Sequence, residues 1–273
     1  MTPTADAAPL APRSVAMLAV AAVAGLTAFA WPLFARLDAS SATTATFVFA
    51  LVLPLVLAVV VAELTSDSLD VKGLAMLGVL AAVGAILRPL GAGSAGMEPI
   101  FFLMILGGRV FGPGFGFAQG AITLGASALL TGGVGAWLPY QMIAAGLLGL
   151  GAGLLPRRPA GRAEIAMLCG YGLVSAFAFG WLMDFAFWPF GIGPGTQFSF
   201  DPDAGPLANL HRFALYNLVT SMGWNLGRAL TSIVLIVLLG PGLLHFLRRA
   251  SRRAAWASAS RGRVVPPDAS GLG

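Results

Sequence analysis

Eight apolar segments, separated by short polar or Gly/Pro-rich stretches, run through most of the chain. Most are long enough to supply the roughly 20 residues that a membrane-spanning helix needs. The pattern therefore predicts an all-α polytopic membrane protein with about eight transmembrane helices. The fourth segment is short for a straight span, so a thin or tilted helix and a re-entrant segment both stay open. The predicted segments are 14–34, 44–63, 73–90, 99–108, 117–130, 136–155, 164–190 and 209–239.

The last segment opens with a stretch, residues 209–228, that has one polar side when it is drawn as a helix. A polar side at membrane depth is costly, and it usually faces the interior of a helix bundle or a cavity. Hydrogen bonding between neighbouring helices is the simpler explanation for any one of these residues. Nine on one side favour the wall of a polar site: Asn209, Arg212, Tyr216, Asn217, Thr220, Ser221, Trp224, Asn225 and Arg228.

The basic residues indicate how the chain is oriented. Arginine accounts for 15 of the 16, and most lie in loops and in the C-terminal tail. Because cytoplasmic loops are enriched in Lys and Arg, the loop at 156–163 and the six-Arg tail are expected inside, and the loop at 191–208, which has neither, outside. Eight crossings then leave both termini cytoplasmic, in a plasma-membrane protein. This distribution suggests a lipid surface as partner, and no nucleic acid.

Composition argues against most kinds of catalysis. Hydrophobic residues make up 58% of the chain and charged residues 10%, against about 25% charged in soluble domains. One cysteine, Cys169, and two distant histidines, His211 and His245, predict no metal site and no cofactor. The only lysine, Lys72, lies outside any P-loop pattern, and no hydrolase or zinc-protease motif is present. We therefore expect no enzyme, and any active transport must use an ion gradient or partner subunits.

Candidate binding residues gather toward the predicted external ends of the last three segments. Rings and a few hydrogen-bonding groups on several helices are typical of a pocket for a small planar ligand. An interfacial aromatic belt is the alternative for the rings, and Asp184 could instead pair with Arg212. The predicted substrate-binding residues are Glu98, Trp137, Tyr140, Gln141, Asp184, Trp188, Asn209, Arg212, Tyr216, Asn217 and Ser221.

A strip of small residues marks the third segment. Ala75, Gly78, Ala82 and Ala85 recur at steps of three and four residues, and such strips let another helix approach closely. The partner could be a helix of this chain or a separate membrane subunit.

Three longer stretches add a resemblance to a known family. Residues 96–120 (GMEPIFFLMILGGRVFGPGFGFAQG), 128–156 (ALLTGGVGAWLPYQMIAAGLLGLGAGLLP) and 209–230 (NLHRFALYNLVTSMGWNLGRAL) resemble substrate-specific S components of bacterial energy-coupling factor (ECF) transporters. The likeness covers roughly residues 73–250 and is one of whole segments, without a short diagnostic motif.

The resemblance implies a six-helix core that captures a vitamin or related micronutrient from outside. A transmembrane coupling subunit and two cytoplasmic ATPases would then drive its release. In this organisation residues 1–12 are a disordered N-terminus, 13–72 two extra helices, 73–247 the six-helix core and 248–273 a basic cytoplasmic tail. The strip at Ala75, Gly78, Ala82 and Ala85 would dock the coupling subunit, and the 91–98 loop would cover the site. The two extra helices leave the identity of the docking helix open.

Two other kinds of protein fit the same pattern. One is a self-contained secondary transporter or facilitator for a small organic solute, and the other is an assembly or scaffold protein whose basic tail binds anionic lipid. The sequence does not identify the cargo, because rings with Asn and Gln suit many flat heterocycles. It also leaves open whether residues 1–30 are retained.

Overall fold

The computed structural model describes residues 12–33, 41–64, 71–91, 96–193 and 195–261, and all regular secondary structure in these ranges is helical. The predicted disordered N-terminus lies outside them except for Pro12, as do residues 92–95 of the predicted covering loop and the end of the tail. Two short 3-10 turns lie at Trp31–Leu33 and Arg88–Gly91. The helices are α1 (Pro12–Phe29), α2 (Ser41–Leu64), α3 (Val71–Leu87), α4 (Phe101–Phe111), α5 (Pro113–Thr131), α6 (Leu138–Leu154), α7 (Arg162–Gly191), α8 (Pro206–Thr220) and α9 (Met222–Arg261).

Several of these helices are apolar enough for a lipid bilayer, which identifies the chain as a helical membrane protein. Among the described residues, three stretches are long and apolar enough to cross a membrane: Val71–Gly91, Arg162–Gly191 and Met222–Arg252. Shorter apolar helices accompany them at Ser14–Phe29, Val52–Leu64, Phe101–Phe111 and Leu138–Leu154. The number of eight crossings stays a prediction.

Glycine lets α4, α5 and α6 pack backbone against backbone. A Cβ atom added at Gly108 or Gly116 would overlap the carbonyl oxygen of Gly149, and one at Gly149 would overlap that of Gly116. One at Gly120 would overlap the carbonyl oxygen of Ala145. Close approach of this kind replaces the hydrophobic effect as the source of helix association in lipid. The three helices therefore form the tightest part of the core.

Helix α4 is the fully buried element of that core. Phe101 through Val110 are all buried, although the helix has only 11 residues. At 1.5 Å per residue it is about 16 Å long, roughly half the hydrocarbon thickness of a bilayer. The segment that the sequence left ambiguous is thus a short central helix, whose ends lie at two polar clusters described below.

The two N-terminal helices pack against the core. Gly25 on α1 lies against the side chain of Ile143 on α6, and Phe29 makes an edge contact with the Tyr140 ring at 5.2 Å. Trp31 stacks on Phe190 at 5.5 Å. The indole Nε1 of Trp31 also donates a 3.0 Å hydrogen bond to the carbonyl of Ala186 on α7. The end of α1 and the turn after it therefore reach the same end of the core as the candidate binding residues.

The prediction that residues 209–239 form a single helix is wrong. Regular helix is interrupted at Ser221, between α8 and α9, where φ is −114°. Backbone hydrogen bonds from Ser221 to Asn217 and from Asn225 to Ser221 still bridge the interruption. That continuity explains why the helical period runs unbroken through the sequence. Only the α9 part is apolar enough to count as a membrane span, and α9 continues as helix to Arg261, into the predicted basic tail.

A buried ionic cluster joins four parts of the fold at one end. Glu164 at the start of α7 accepts hydrogen bonds of 2.6 Å from both Arg109 on α4 and Arg248 on α9. Arg109 also donates to the carbonyls of Leu155 and Pro156, at 3.1 and 2.9 Å. Arg109 and Glu164 are almost completely buried. Charges taken out of water must be paired in this way.

Replacing Glu164 with alanine is expected to destabilise the fold by roughly 3 kcal/mol, because it leaves the buried Arg109 charge uncompensated. Unfolding of the purified protein by denaturant in a fixed detergent measures the change. Asp203→Ala, at an exposed loop carboxylate, serves as the control and is expected to have little effect. Equal stability of the two variants would contradict the assigned role of the cluster.

Candidate functional site

Arg228 on α9 lies at the centre of the second polar cluster. Its side chain is 7% exposed, inside the apolar part of the helix. One guanidinium nitrogen, Nη2, donates to Glu98 Oε1 at 2.9 Å, and the other, Nη1, donates to Asn225 Oδ1 at 3.0 Å and to the Ala176 carbonyl at 3.3 Å. An arginine buried at membrane depth is costly and usually marks a functional position.

Two aromatic rings complete the surroundings of Arg228. The guanidinium carbon lies 5.4 Å from the ring centroid of Phe101 and 5.0 Å from that of Phe179. The two rings also contact each other edge to face at 4.9 Å. Cation–π attraction is strongest where the cation is desolvated, as here. The first turn of α4 therefore helps to hold the arginine in place.

The position of the cluster along α7 gives its depth. Ala176 and Gly180 are 14 and 18 residues beyond Arg162, which is about 21 and 27 Å along the helix axis. A hydrocarbon layer is about 30 Å thick. Measured from Arg162, these contacts lie within one hydrocarbon thickness along the helix, toward its far end. Asp184, one turn further, lies at about the end of that thickness.

Two glycines make the close packing at this point possible. A Cβ atom at Gly180 would overlap Asn225 Oδ1, so alanine there would displace the Asn225 side chain that Arg228 contacts. Gly96 lies against the backbone of Trp224 at the start of α9, and its φ of +83° strongly favours glycine. The segment 96–98 is thereby placed on α9, with Glu98 beside Arg228.

Replacing Gly96 with alanine is expected to displace residues 96–98 from α9, because a Cβ atom would overlap the Trp224 carbonyl and φ is unfavourable for alanine. Amide hydrogen exchange of residues 96–100 should then become faster by at least tenfold. Gly193→Ala, in a loop with open space around the glycine, is the control. Unchanged exchange in Gly96→Ala would contradict this placement of the segment.

Asp184 is held by α8. Asn217 Nδ2 donates to Asp184 Oδ2 at 2.5 Å, and the Ser221 hydroxyl lies near the same carboxylate. Arg228 and Tyr216 are close enough to Asp184 to interact with it electrostatically. The predicted alternative, that Asp184 pairs with Arg212, is wrong, since Arg212 pairs with Asp201 at 3.4 Å.

A second arginine extends the network to α6. Arg88, directly after α3, donates from Nη2 to Gln141 Oε1 at 3.0 Å. Its charge also attracts Glu98. Polar contacts thus run from Gln141 through Arg88, Glu98 and Arg228 to Asp184 and Asn217. They connect six separate segments of the chain, and the two arginines balance the two carboxylates.

Several buried polar atoms in this region have no hydrogen-bond partner among the described residues. They are the acceptor Asn217 Oδ1, the donors Asn225 Nδ2 and Arg228 Nε, and the hydroxyl of Ser232. Asn217 and Asn225 are 2% and 1% exposed. An unpaired buried polar group costs about 1–3 kcal/mol. Such atoms are therefore sites at which a bound molecule could supply the missing partners.

Three predicted binding residues instead order the loop between α7 and α8. Trp188 Nε1 donates to the Phe198 carbonyl at 2.6 Å, and Asn209 Nδ2 donates to the Asp201 carbonyl at 2.8 Å. Arg212 donates to the carbonyls of Thr196 and Ser199 as well as pairing with Asp201. Their hydrogen-bonding groups are occupied within the chain.

The remaining rings differ in their surroundings. Tyr140 is buried between Phe29 and Phe187, with ring centroids 5.2 Å from each. Trp137 is 47% exposed, at the turn before α6. The structure therefore brings Glu98, Gln141, Asp184, Tyr216, Asn217 and Ser221 into one network, and gives Trp137 and Tyr140 separate environments. Asn225 and Arg228 are among the nine residues predicted to form the wall of a polar site, but not among the predicted substrate-binding residues. Arg88 was not predicted as a site residue at all.

The small-residue strip of α3 is mostly on the surface. Ala75, Gly78 and Ala82 are exposed, and nothing lies within 4 Å of the position that a Cβ atom would take on Gly78. The prediction that Ala85 belongs to a docking face on the protein surface is wrong, because Ala85 is buried, with 1% of its surface exposed. Gly78 and Ala82, four residues apart, lie on the exposed face of α3, whereas Ala85, three residues further, lies on its buried face. The exposed strip consists of Ala75, Gly78 and Ala82.

No protein-family model, curated protein or solved structure matches the chain.

Proposed function

We propose that the protein is the membrane-embedded substrate-binding subunit of an ATP-driven ECF-type importer, which captures a vitamin or related micronutrient from outside. The observation that carries this proposal is the network around Arg228, which contains unpaired buried donors and acceptors and in which Glu98 contacts Arg228. The resemblance of residues 96–120, 128–156 and 209–230 to S components supports the same function.

The pattern of unpaired atoms suits an uncharged polar ligand. Asn225 Nδ2 and Arg228 Nε offer donors, and Asn217 Oδ1 offers an acceptor. The charges of Arg88 and Arg228 are already balanced by Glu98 and Asp184, so a charged ligand would need to displace one of these carboxylates. We infer that a neutral heterocycle with both a carbonyl and an N–H group fits best.

In this proposal the chain crosses the plasma membrane about eight times and both termini are cytoplasmic. The end that carries Glu164 faces the cytoplasm, and the network around Arg228 opens toward the outside. A transmembrane coupling subunit and two cytoplasmic ATPases act on the loaded subunit. The exposed strip Ala75, Gly78 and Ala82 contacts the coupling subunit, since flat small-residue surfaces allow close approach of a helix.

Co-purification tests the proposal. The tagged full-length chain, isolated in mild detergent from membranes of its own cells, should bring down a coupling subunit and ATPases. Gly78→Leu should abolish this association, because a leucine side chain would interrupt the flat strip. Gly170→Leu is the matched control, since Gly170 on α7 is also exposed with open space around it. Absence of any ATPase from the wild-type sample would refute the proposal.

The alternative is a self-contained secondary transporter or facilitator. The position of Asp184, held by Asn217 at the boundary of the apolar layer, is the observation in its favour, because intramembrane acids often form part of ion pathways. Such a protein would move solute across proteoliposomes that contain this chain alone. The importer subunit would not.

A further inference from the structure

Besides Arg109, six arginines gather at the end of the fold that carries Glu164. They lie in two segments, residues 155–164 between α6 and α7 and residues 244–252 near the end of α9. Arg157, Arg158, Arg162, Arg249 and Arg252 are exposed. We call these five residues the arginine rim. Neither segment contains an acid other than Glu164.

Glu164 is not available to neutralise the rim. Its carboxylate already accepts hydrogen bonds from Arg109 and Arg248 and is almost fully buried. The ion pair between Glu164 and Arg248 brings the two segments together. Arg109 fixes the loop as well, through the carbonyls of Leu155 and Pro156, directly before Arg157 and Arg158. The rim is therefore a positive surface on a rigid base.

Large apolar side chains lie directly beside the rim and are exposed. Leu154, at the end of α6, is 65% exposed, and Phe246, three residues before Arg249, is 59% exposed. A soluble acidic protein or a nucleic acid would meet the charges but leave this apolar surface uncovered. A phospholipid has both parts, a phosphate for the arginines and acyl chains for the apolar side chains.

We propose that the arginine rim is a binding site for the headgroups of anionic phospholipids. Arginine suits this role because its planar guanidinium can donate two parallel hydrogen bonds to one phosphate group. The acyl chains of the bound lipid lie along the apolar ends of α6 and α9. The site does not depend on the proposed transport function, and it involves the other end of the molecule.

Native mass spectrometry of the full-length protein in a nonionic detergent tests the site, with dioleoyl phosphatidylglycerol and dioleoyl phosphatidylcholine as probes. The wild-type protein should retain phosphatidylglycerol in preference to phosphatidylcholine. The triple variant R158Q/R162Q/R249Q should bind phosphatidylglycerol roughly a hundredfold more weakly, as expected for the loss of three arginines near a lipid headgroup. The single variant R158Q should bind several-fold more weakly.

Arg212→Gln is the control, since it removes one positive charge at the opposite end of the fold. Its affinity for phosphatidylglycerol should equal that of the wild-type protein. Equal retention of both lipids by the wild-type protein would overturn the proposal, and so would undiminished phosphatidylglycerol binding by the folded triple variant. A preserved unfolding midpoint in the triple variant distinguishes loss of the site from loss of the fold.

Discussion

Replacing Arg228 with glutamine is expected to reduce the stability of the protein by roughly 3–5 kcal/mol, the usual cost of breaking a buried ion pair from one side. The substitution leaves the Glu98 carboxylate without its 2.9 Å partner and removes the positive charge near Asp184. It also removes the cation from between Phe101 and Phe179. The free energy of unfolding, measured by denaturant titration in a fixed detergent, gives the size of the effect.

The double variant E98Q/R228Q separates the effect of an unpaired charge on stability from the effect of lost packing. Because both ionised groups of the pair are gone, it should be more stable than Arg228→Gln alone, and the double-mutant cycle should show a coupling of at least 1 kcal/mol. Arg212→Gln is the matched control, since its ion pair with Asp201 is longer and partly exposed. Its expected cost is under about 1 kcal/mol. Similar losses for Arg212→Gln and Arg228→Gln would contradict a central role for Arg228.

The sequence predicts which residues of a helix lie at this site better than it predicts which residues contact one another there. The helical period of residues 209–228 places Asn217, Asn225 and Arg228 on one side, and in the structure these residues are buried. The partner of Arg228 is not readable from that period, because Glu98 is 130 residues away and reaches it through a loop. An ion pair across such a distance depends on the packing of α4 against α9.

The interruption at Ser221 shows a second limit of sequence patterns. No glycine or proline stands at that position, and the backbone hydrogen bonds continue through it. Hydrophobic periodicity therefore predicts one long helix where the structure has α8 and α9. Similarly, Tyr140 was predicted to contact substrate, yet the ring of Phe29 from α1 packs against it. Periodicity within one helix cannot show which other helix covers a residue.

Replacing Gly149 with alanine is expected to destabilise the protein by roughly 2–3 kcal/mol, although it adds only one methyl group. The new Cβ atom would overlap the Gly116 carbonyl oxygen, and Gly108 and Gly116 in turn lie against the Gly149 carbonyl. Both sides of this contact are helix backbone, so no change of rotamer can relieve the overlap. Helices α5 and α6 must move apart, and α4 must move with them.

Gly170→Ala provides the comparison, because Gly170 lies on α7 with nothing within 4 Å of a Cβ atom. Alanine is favoured over glycine within a helix, so this variant should be more stable by about 0.5–1 kcal/mol. Opposite signs for the two substitutions, measured as free energies of unfolding in the same detergent, would identify backbone contact as the cause. Two changes of the same sign would contradict it.

A shift of α4 in Gly149→Ala should also loosen the binding network, because Phe101 on α4 packs against Arg228. Faster hydrogen exchange at residues 96–100 would reveal this loosening.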